Sequence, residues 1–242
     1  MTTTKTAVVT GANKGIGREI ARRLATMGFK VWLGARDTQR GMTAERELRA
    51  EGLDVQWLAL DVTQDDSVAA AAKSVVAETP RLDVLVNNAG IAINYELPPS
   101  EQHLADIRAT YEVNVFGPIR VTQAFLPLLL AAPAARIVMV SSSTGSIGRA
   151  LDPATANHAV NLLGYGSSKT ALNAVTVAFA RDLATQGIKV NAAAPGYTAT
   201  DLNGYKGHRT VQQAAEIVIH LATLDADGPN AGYFNDDGPL PW

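Results

Sequence analysis

The chain has 242 residues, 21 Lys and Arg against 23 Asp and Glu for a net charge of −2, and a hydrophobic share of 47%. So even a balance, with no basic run, leaves no electrostatic footprint for nucleic acid or an anionic membrane surface. With no cysteine, disulfides, thiolate zinc sites, iron–sulfur ligation and a cysteine nucleophile are excluded, and a reducing, cytoplasmic setting fits. Residues 1–5 run into a strand-like stretch with no signal-peptide apolar core, and no run reaches the ~18 consecutive apolar residues expected of a membrane span.

In chain order, short β-branched runs alternate with helical periods. Thr6–Thr10 (TAVVT) reads as a buried strand, followed by a helix with Ile16, Ile20 and Leu24 on one face and Gly28 as its stop. Strand, helix, strand, helix and strand follow at Phe29–Ala35, Thr43–Glu51, Asp54–Leu60, Asp65–Glu78 and Leu82–Val86. Val121, Ala124, Phe125, Leu128 and Leu129 mark a helical stripe with Pro127 inside it, a point where a kink is expected. A fifth strand falls at Arg136–Val140, a long helix carries Leu172, Val175, Phe179 and Leu183, and a sixth strand spans Ile188–Ala192. A last helix over Thr210–Leu224 and a strand at Ala231–Asn235 complete the series. The alternation predicts a single α/β domain over 1–242. It would be a Rossmann-like, doubly wound parallel sheet of about seven strands with helices on both faces. Residues 146–161 read as an irregular insertion.

Thr10-Gly11-Ala12-Asn13-Lys14-Gly15-Ile16-Gly17 joins the first strand to the first helix. Glycines there permit a sharp turn and close approach of backbone to a pyrophosphate, and the helix start offers free N–H groups. The spacing is G-x-x-x-G-x-G rather than the common G-x-G-x-x-G. Cofactor choice rests on the end of the second strand, Gly34-Ala35-Arg36-Asp37. A carboxylate there would take the ribose of NAD, a cation the 2′-phosphate of NADP. Ala35 stands where the carboxylate would be, while Arg36 and Lys14 suit the phosphate, which favours NADP(H). A one-residue shift in register would make Asp37 the ribose ligand instead.

Tyr165 and Lys169 are four apart at the start of the long helix and share a face. An isolated phenol is a poor acid–base group near neutrality, and a neighbouring ammonium lowers its pKa. Of the six tyrosines only Tyr165 has Lys at +4. Ser141-Ser142-Ser143 and Asn87-Asn88-Ala89-Gly90 end the fifth and fourth strands, where ligands of open α/β sheets bind. Asn114, a poor helix former inside a helical segment, marks a kink or a water site.

Taken together these motifs resemble the short-chain dehydrogenase/reductase family across nearly the whole chain. TGANKGIG, NNAG, the Asn114 segment, the serine triplet, YGSSK and Pro195-Gly196-Tyr197-Thr198-Ala199-Thr200 match in the family's order. The resemblance implies Tyr165 as general acid/base and Lys169 on the nicotinamide ribose, lowering the tyrosine pKa. It implies Ser142 as the group polarising the carbonyl, with Ser141 the lesser candidate, and Asn114 as anchor of a relay water. It also implies a cofactor site built from Gly11, Asn13, Lys14, Gly15, Ile16, Gly17, Arg36, Asp61, Val62, Asn88, Ala89, Gly90, Tyr165, Lys169, Pro195, Gly196, Thr198 and Thr200, with Asp61 and Val62 near the adenine and Thr200 on the carboxamide.

Asn-Lys in the loop, GAR at the second strand and Pro-Trp at the terminus are similar to carbonyl reductases that use NADPH. The implied activity is hydride transfer from NADPH to a ketone or aldehyde, reversible as an alcohol dehydrogenase. Reduction of an activated C=C or imine bond, or a non-catalytic NADPH-sensing role, are the alternatives. The gap between Ser142 and Tyr165 is about ten residues longer than usual for the family, a loop long enough to be functional or mobile. That length leaves both a homo-oligomer and a monomer open. The short stretch after Thr200 implies a small lid, an open pocket and broad specificity. The four histidines have no metal-ligand spacing, so no metal is expected; His158 and Tyr197 are candidates to line the substrate pocket.

Overall fold

The computed structural model describes residues 4–242; residues 1–3, part of the stretch in which no signal-peptide core is expected, lie outside the described residues. Among the described residues, eight strands form one sheet: β1 (Thr6–Thr10), β2 (Lys30–Ala35), β3 (Val55–Ala59), β4 (Val84–Asn87), β5 (Arg136–Val140), β6 (Lys189–Ala193), β7 (Tyr233–Asn235) and β8 (Gly238–Pro239). Their order is β3-β2-β1-β4-β5-β6-β7-β8, and every neighbouring pair is parallel except β7 with β8. The eighth strand, two residues long and paired back on β7, is the one that hydrophobic patterning did not predict.

Side-chain alternation along the strands fills two cores at once. Val8, Leu85, Ile137 and Met139 point to the layer of α3 (Asp65–Glu78), α5 (Gly117–Leu130) and α7 (Leu163–Asp182). Ala7, Val9, Val86 and Val138 point to the layer of α1 (Gly15–Thr26), α2 (Thr38–Ala50) and α8 (Val211–Ala222). Helices on both faces make the strands apolar on both sides, which is why they read as continuous runs. Phe125 of α5 is fully buried; truncating it to Ala would cost ~3–5 kcal/mol.

Three local expectations change. The second helix begins at Thr38 rather than Thr43, because Asp37 caps it by accepting from the Arg40 N–H at 2.9 Å. The stretch around 146–161 is not irregular throughout: it holds α6 (Ile147–Leu151), capped by Ser146, and a 3₁₀ turn at Ala156–Ala159. And α4 (Leu104–Tyr111) runs through a π turn at Glu112–Phe116 into α5. The 27-residue helical run Leu104–Leu130 is apolar enough to cross a membrane by length and composition, with 56% of its most apolar window buried.

The chain reverses its order at β1 and β4, leaving a crevice beyond their carboxyl ends. The glycine loop, NNAG, the serine triplet and the Pro195 turn all follow strands that end there.

Candidate active site

On the β1 side the crevice is lined by backbone. Thr10 Oγ1 accepts from the N–H groups of Asn88 and Ala89, both at 2.9 Å, and the Asn88 amide donates back to the Thr10 carbonyl at 2.9 Å. These bonds tie the glycine loop to NNAG. Gly11 has φ +64°, a left-handed conformation that suits glycine, and a Cβ there would press on the Ala89 backbone at 3.0 Å. A Cβ on Gly17 would lie 2.5 Å from the Gly11 carbonyl oxygen and closer still to the Asn88 amide. At the start of α1, Lys14 makes no side-chain cap and the first turn holds no acidic residue. The N–H groups there face a phosphate-sized demand for negative charge. Such a cradle fits a dinucleotide.

Asn13, Lys14, Gly15, Arg18 and Arg40 line an adjoining cavity of about 290 Å³ between α1 and α2. Arg36 is exposed just past β2. Asp37 caps α2 and pairs with Arg40 at 3.6 Å. Asp61 folds onto its own turn, accepting from Thr63 N–H at 3.0 Å and Thr63 Oγ1 at 2.8 Å. The Val62 side chain is buried against Gly117 and its carbonyl accepts from Arg120 at 2.7 Å.

On the β5 side the crevice is lined by side chains. Lys169 is 3% exposed and donates from Nζ to the Val140 carbonyl at 2.8 Å. Its ammonium stands 5.6 Å from the centre of the Tyr165 ring, as the spacing of four predicts. A Cβ on Gly90 would sit 3.6 Å from Lys169 Nζ and 3.5 Å from Asn114 Oδ1. NNAG therefore adjoins the lysine and Asn114 at one point. Asn114 is fully buried on the π turn; Oδ1 accepts from the Ile91 N–H at 2.9 Å. Its amide donates to the Ile91 carbonyl at 2.9 Å and to Ser168 Oγ at 3.0 Å. Both amide protons are committed, so the side chain knits loop to helix.

Ser142 has extended backbone and caps a single 3₁₀ turn, Ser143–Gly145. Its Oγ accepts from Thr144 N–H at 3.3 Å and from Thr144 Oγ1 at 2.9 Å. A hydroxyl has two acceptor sites and one proton; with both acceptors filled, Ser142 faces the crevice as a donor. Ser141 is buried and gives its proton to Asn173 Oδ1 at 2.6 Å.

The electrostatics depart from the sequence-based expectation. Burial pushes the Tyr165 phenol up to about 12, with the Ser142 hydroxyl pulling modestly the other way. Burial also brings Lys169 down to about 8. Removing the phenol from water disfavours its charged form, and this desolvation outweighs the lowering expected from the lysine.

Residues 5–210 match the family model for short chain dehydrogenase. The chain belongs to the short-chain dehydrogenase family. Carbonyl reductase [NADPH] 1 of Mus musculus is 34% identical over 278 residues, covering 98% of each chain. A short-chain dehydrogenase of Penicillium roqueforti is 35% identical over 236 residues, covering 95% of this chain and 93% of the relative. The crystal structure of an NADPH-bound carbonyl reductase from chicken fatty liver superposes with a TM-score of 0.86 at 29% identity, covering 99% of each chain.

Several contacts of this short-chain dehydrogenase escaped sequence reading. Thr200 caps the turn Asp201–Asn203 and lies over Gly15, 3.6 Å from where a Cβ would be. Asp201 pairs with Lys14 and accepts from Tyr205, so the loop after β6 closes onto the glycine loop. Lys206 pairs with Glu96 at 2.9 Å across the same lip. Thr198 is buried and bonds the Gly196 carbonyl at 3.1 Å. Tyr197 is 48% exposed and tilts against His208, while His158 sits on the Ala150 carbonyl at 3.0 Å. Tyr233, with no motif around it, donates its hydroxyl to the Ser142 carbonyl. The Lys14–Asp201, Lys206–Glu96 and Tyr233–Ser142 pairs join segments far apart in the sequence, so only the fold could bring them together.

Proposed function

We propose that this short-chain dehydrogenase is an NADPH-dependent carbonyl reductase that acts on ketones or aldehydes and runs in reverse as an alcohol dehydrogenase. The observation that carries the reading is the convergence of Tyr165, Lys169 and a donor-only Ser142 beside Gly90 and the glycine loop. The NADPH-bound relative of the same fold supports the choice of cofactor.

Gly11, Gly15 and Gly17, with Asn88, Ala89 and Gly90, would cradle the dinucleotide by backbone. Arg36, Lys14 and Asn13 would take the 2′-phosphate, Asp61 and the backbone of Val62 the adenine end. Ile16 and the turn through Pro195, Gly196, Thr198 and Thr200 would flank its other end, with Lys169 on the ribose. When bound, NADPH supplies the hydride.

The chain's own residues handle the oxygen and the proton. Ser142 donates to the substrate oxygen and holds it beside the Tyr165 hydroxyl. A phenol kept up near about 12 is fully protonated at neutral pH, the form a proton donor needs. Tyr165 gives its proton to that oxygen as negative charge develops there. Lys169, with its amine near about 8, can lend positive charge to the phenolate left behind. Asn114 acts here as a brace between Ile91 and α7. The cysteine-free sequence supports a cytoplasmic place of work.

Following loss of reduced-nicotinamide absorbance across a panel of aldehydes, ketones and quinones tests the reading. Turnover that Tyr165→Phe abolishes is expected. Tight NADPH binding without turnover, unaltered by Tyr165→Phe, would establish a sensor instead.

A further inference from the structure

We propose that Tyr233 is a positioning residue for Ser142, held in place by Trp242, so that the segment after β7 sets the aim of the carbonyl-polarising hydroxyl. The inference rests on the reductase reading above and names a partner of the same site. Tyr233 is 2% exposed, and its hydroxyl donates to the Ser142 main-chain oxygen across a separation of 91 residues. That oxygen also accepts from the Gly145 N–H at 2.8 Å, which closes the 3₁₀ turn Ser142 caps. Both acceptor sites of the carbonyl are thereby filled, and the peptide plane carrying Ser142 is fixed from two directions. Behind it, Asn173 and Ser141 flank the same phenol.

The ring of Tyr233 is fixed in turn. Trp242 stacks on it with centroids 5.3 Å apart and planes 19° from parallel, an arrangement that favours attraction between rings. The β7–β8 hairpin brings Trp242 back to this point, with Leu240 N–H bonded to the Tyr233 carbonyl at 2.7 Å. Two more bonds tie the same segment to the chain after Ser142: Ser146 Oγ to the Pro241 carbonyl at 2.6 Å, and Gly148 N–H to the Trp242 carbonyl at 3.2 Å. The stretch 142–148 is thus pinned at three places by residues 233–242. Thr144 fills the acceptors of Ser142 Oγ from the front; Tyr233 fixes its backbone from behind.

The test pairs kinetics with hydrogen exchange. Tyr233→Phe keeps the ring and its stack and removes only the hydroxyl, so the melting temperature should barely move. Amides of 143–148 should exchange at least several-fold faster, with the rest of the sheet unchanged. The kcat for carbonyl reduction should fall ~10-fold with the NADPH Kd unaltered, since small misplacement of a reacting group costs rate rather than cofactor binding. Trp242→Ala should reproduce both effects more weakly, and Trp242→Phe, which keeps a stacking ring, should restore them. Unchanged exchange in Tyr233→Phe overturns the proposal whether or not the protein turns over. So does wild-type kcat in Tyr233→Phe where Ser142→Ala is inactive. A wild-type protein inert toward every carbonyl would overturn the reductase reading instead, and the exchange arm would still decide the buttress.

Discussion

Two corners of the same crevice are made of different material. Beyond β1, Gly11, Gly15, Gly17 and the Thr10–Asn88 clasp present peptide groups, and what matters is that side chains stay out. Beyond β5, Ser142, Tyr165, Lys169 and Asn114 present functional groups carried on a π turn, a 3₁₀ turn and a long helix. The first corner should be indifferent to many chemical changes and intolerant of a single added carbon. The second should tolerate small changes of volume and fail when one polar atom is removed.

The sharpest way to break that contrast is Tyr165→Phe, which deletes one oxygen. It should lower kcat by ~10²–10⁴-fold, the usual worth of a positioned proton donor, while NADPH titration by fluorescence still shows binding; a variant that keeps its rate would remove the side-chain corner from the chemistry. Next comes the buried lysine. With its pKa near about 8 against an ordinary 10.5, Lys169 takes up a proton more readily when the chain unfolds. Stability of the ligand-free protein should therefore rise as pH climbs from about 8 toward 10, by up to ~3 kcal/mol at ~1.4 kcal/mol per pKa unit. Above pH 10 the sign reverses, because the unfolded chain loses phenol protons that Tyr165 holds until about 12 and that buried Tyr233, also pushed up, retains. Denaturant midpoints across this range check both limbs, and Lys169→Met should erase the rising one.

At the backbone corner, Gly17→Ala places a methyl group against the Gly11 carbonyl. Overpacking of this kind costs ~1–3 kcal/mol, and the melting temperature should drop together with NADPH affinity. A fully stable, tightly binding alanine variant would show that the loop has slack. The smallest effect belongs to exposed Arg36. Arg36→Asp should lower the NADPH-to-NADH ratio of kcat/KM by about 10-fold, the worth of one charge-assisted phosphate contact of ~1.5 kcal/mol; an unaltered ratio would assign phosphate recognition to Lys14 and Arg40.

How far each corner could be read from sequence follows the same division. The glycine loop is contiguous, and Tyr165 and Lys169 are one helical turn apart, so local rules recover both. The strand–helix alternation gave the doubly wound sheet, and errors fell at ends and in the inserted stretch, where caps such as Asp37 and Ser146 act rather than apolar period. The direction of the Tyr165 shift was not legible, because burial belongs to the assembled crevice. Nor was Tyr233, whose bond to Ser142 joins two segments that share no pattern.

The π turn at Glu112–Phe116 gives chain length itself a role. Such a turn accommodates one residue more than α-helical pitch requires, so α4 and α5 stay seated while Asn114 swings to Ile91 and Ser168. Shortening the chain by one residue here would leave the helices on the sheet and take away that reach. Natural variation at this point should therefore be far freer in spelling than in number, with gaps excluded even where every letter differs.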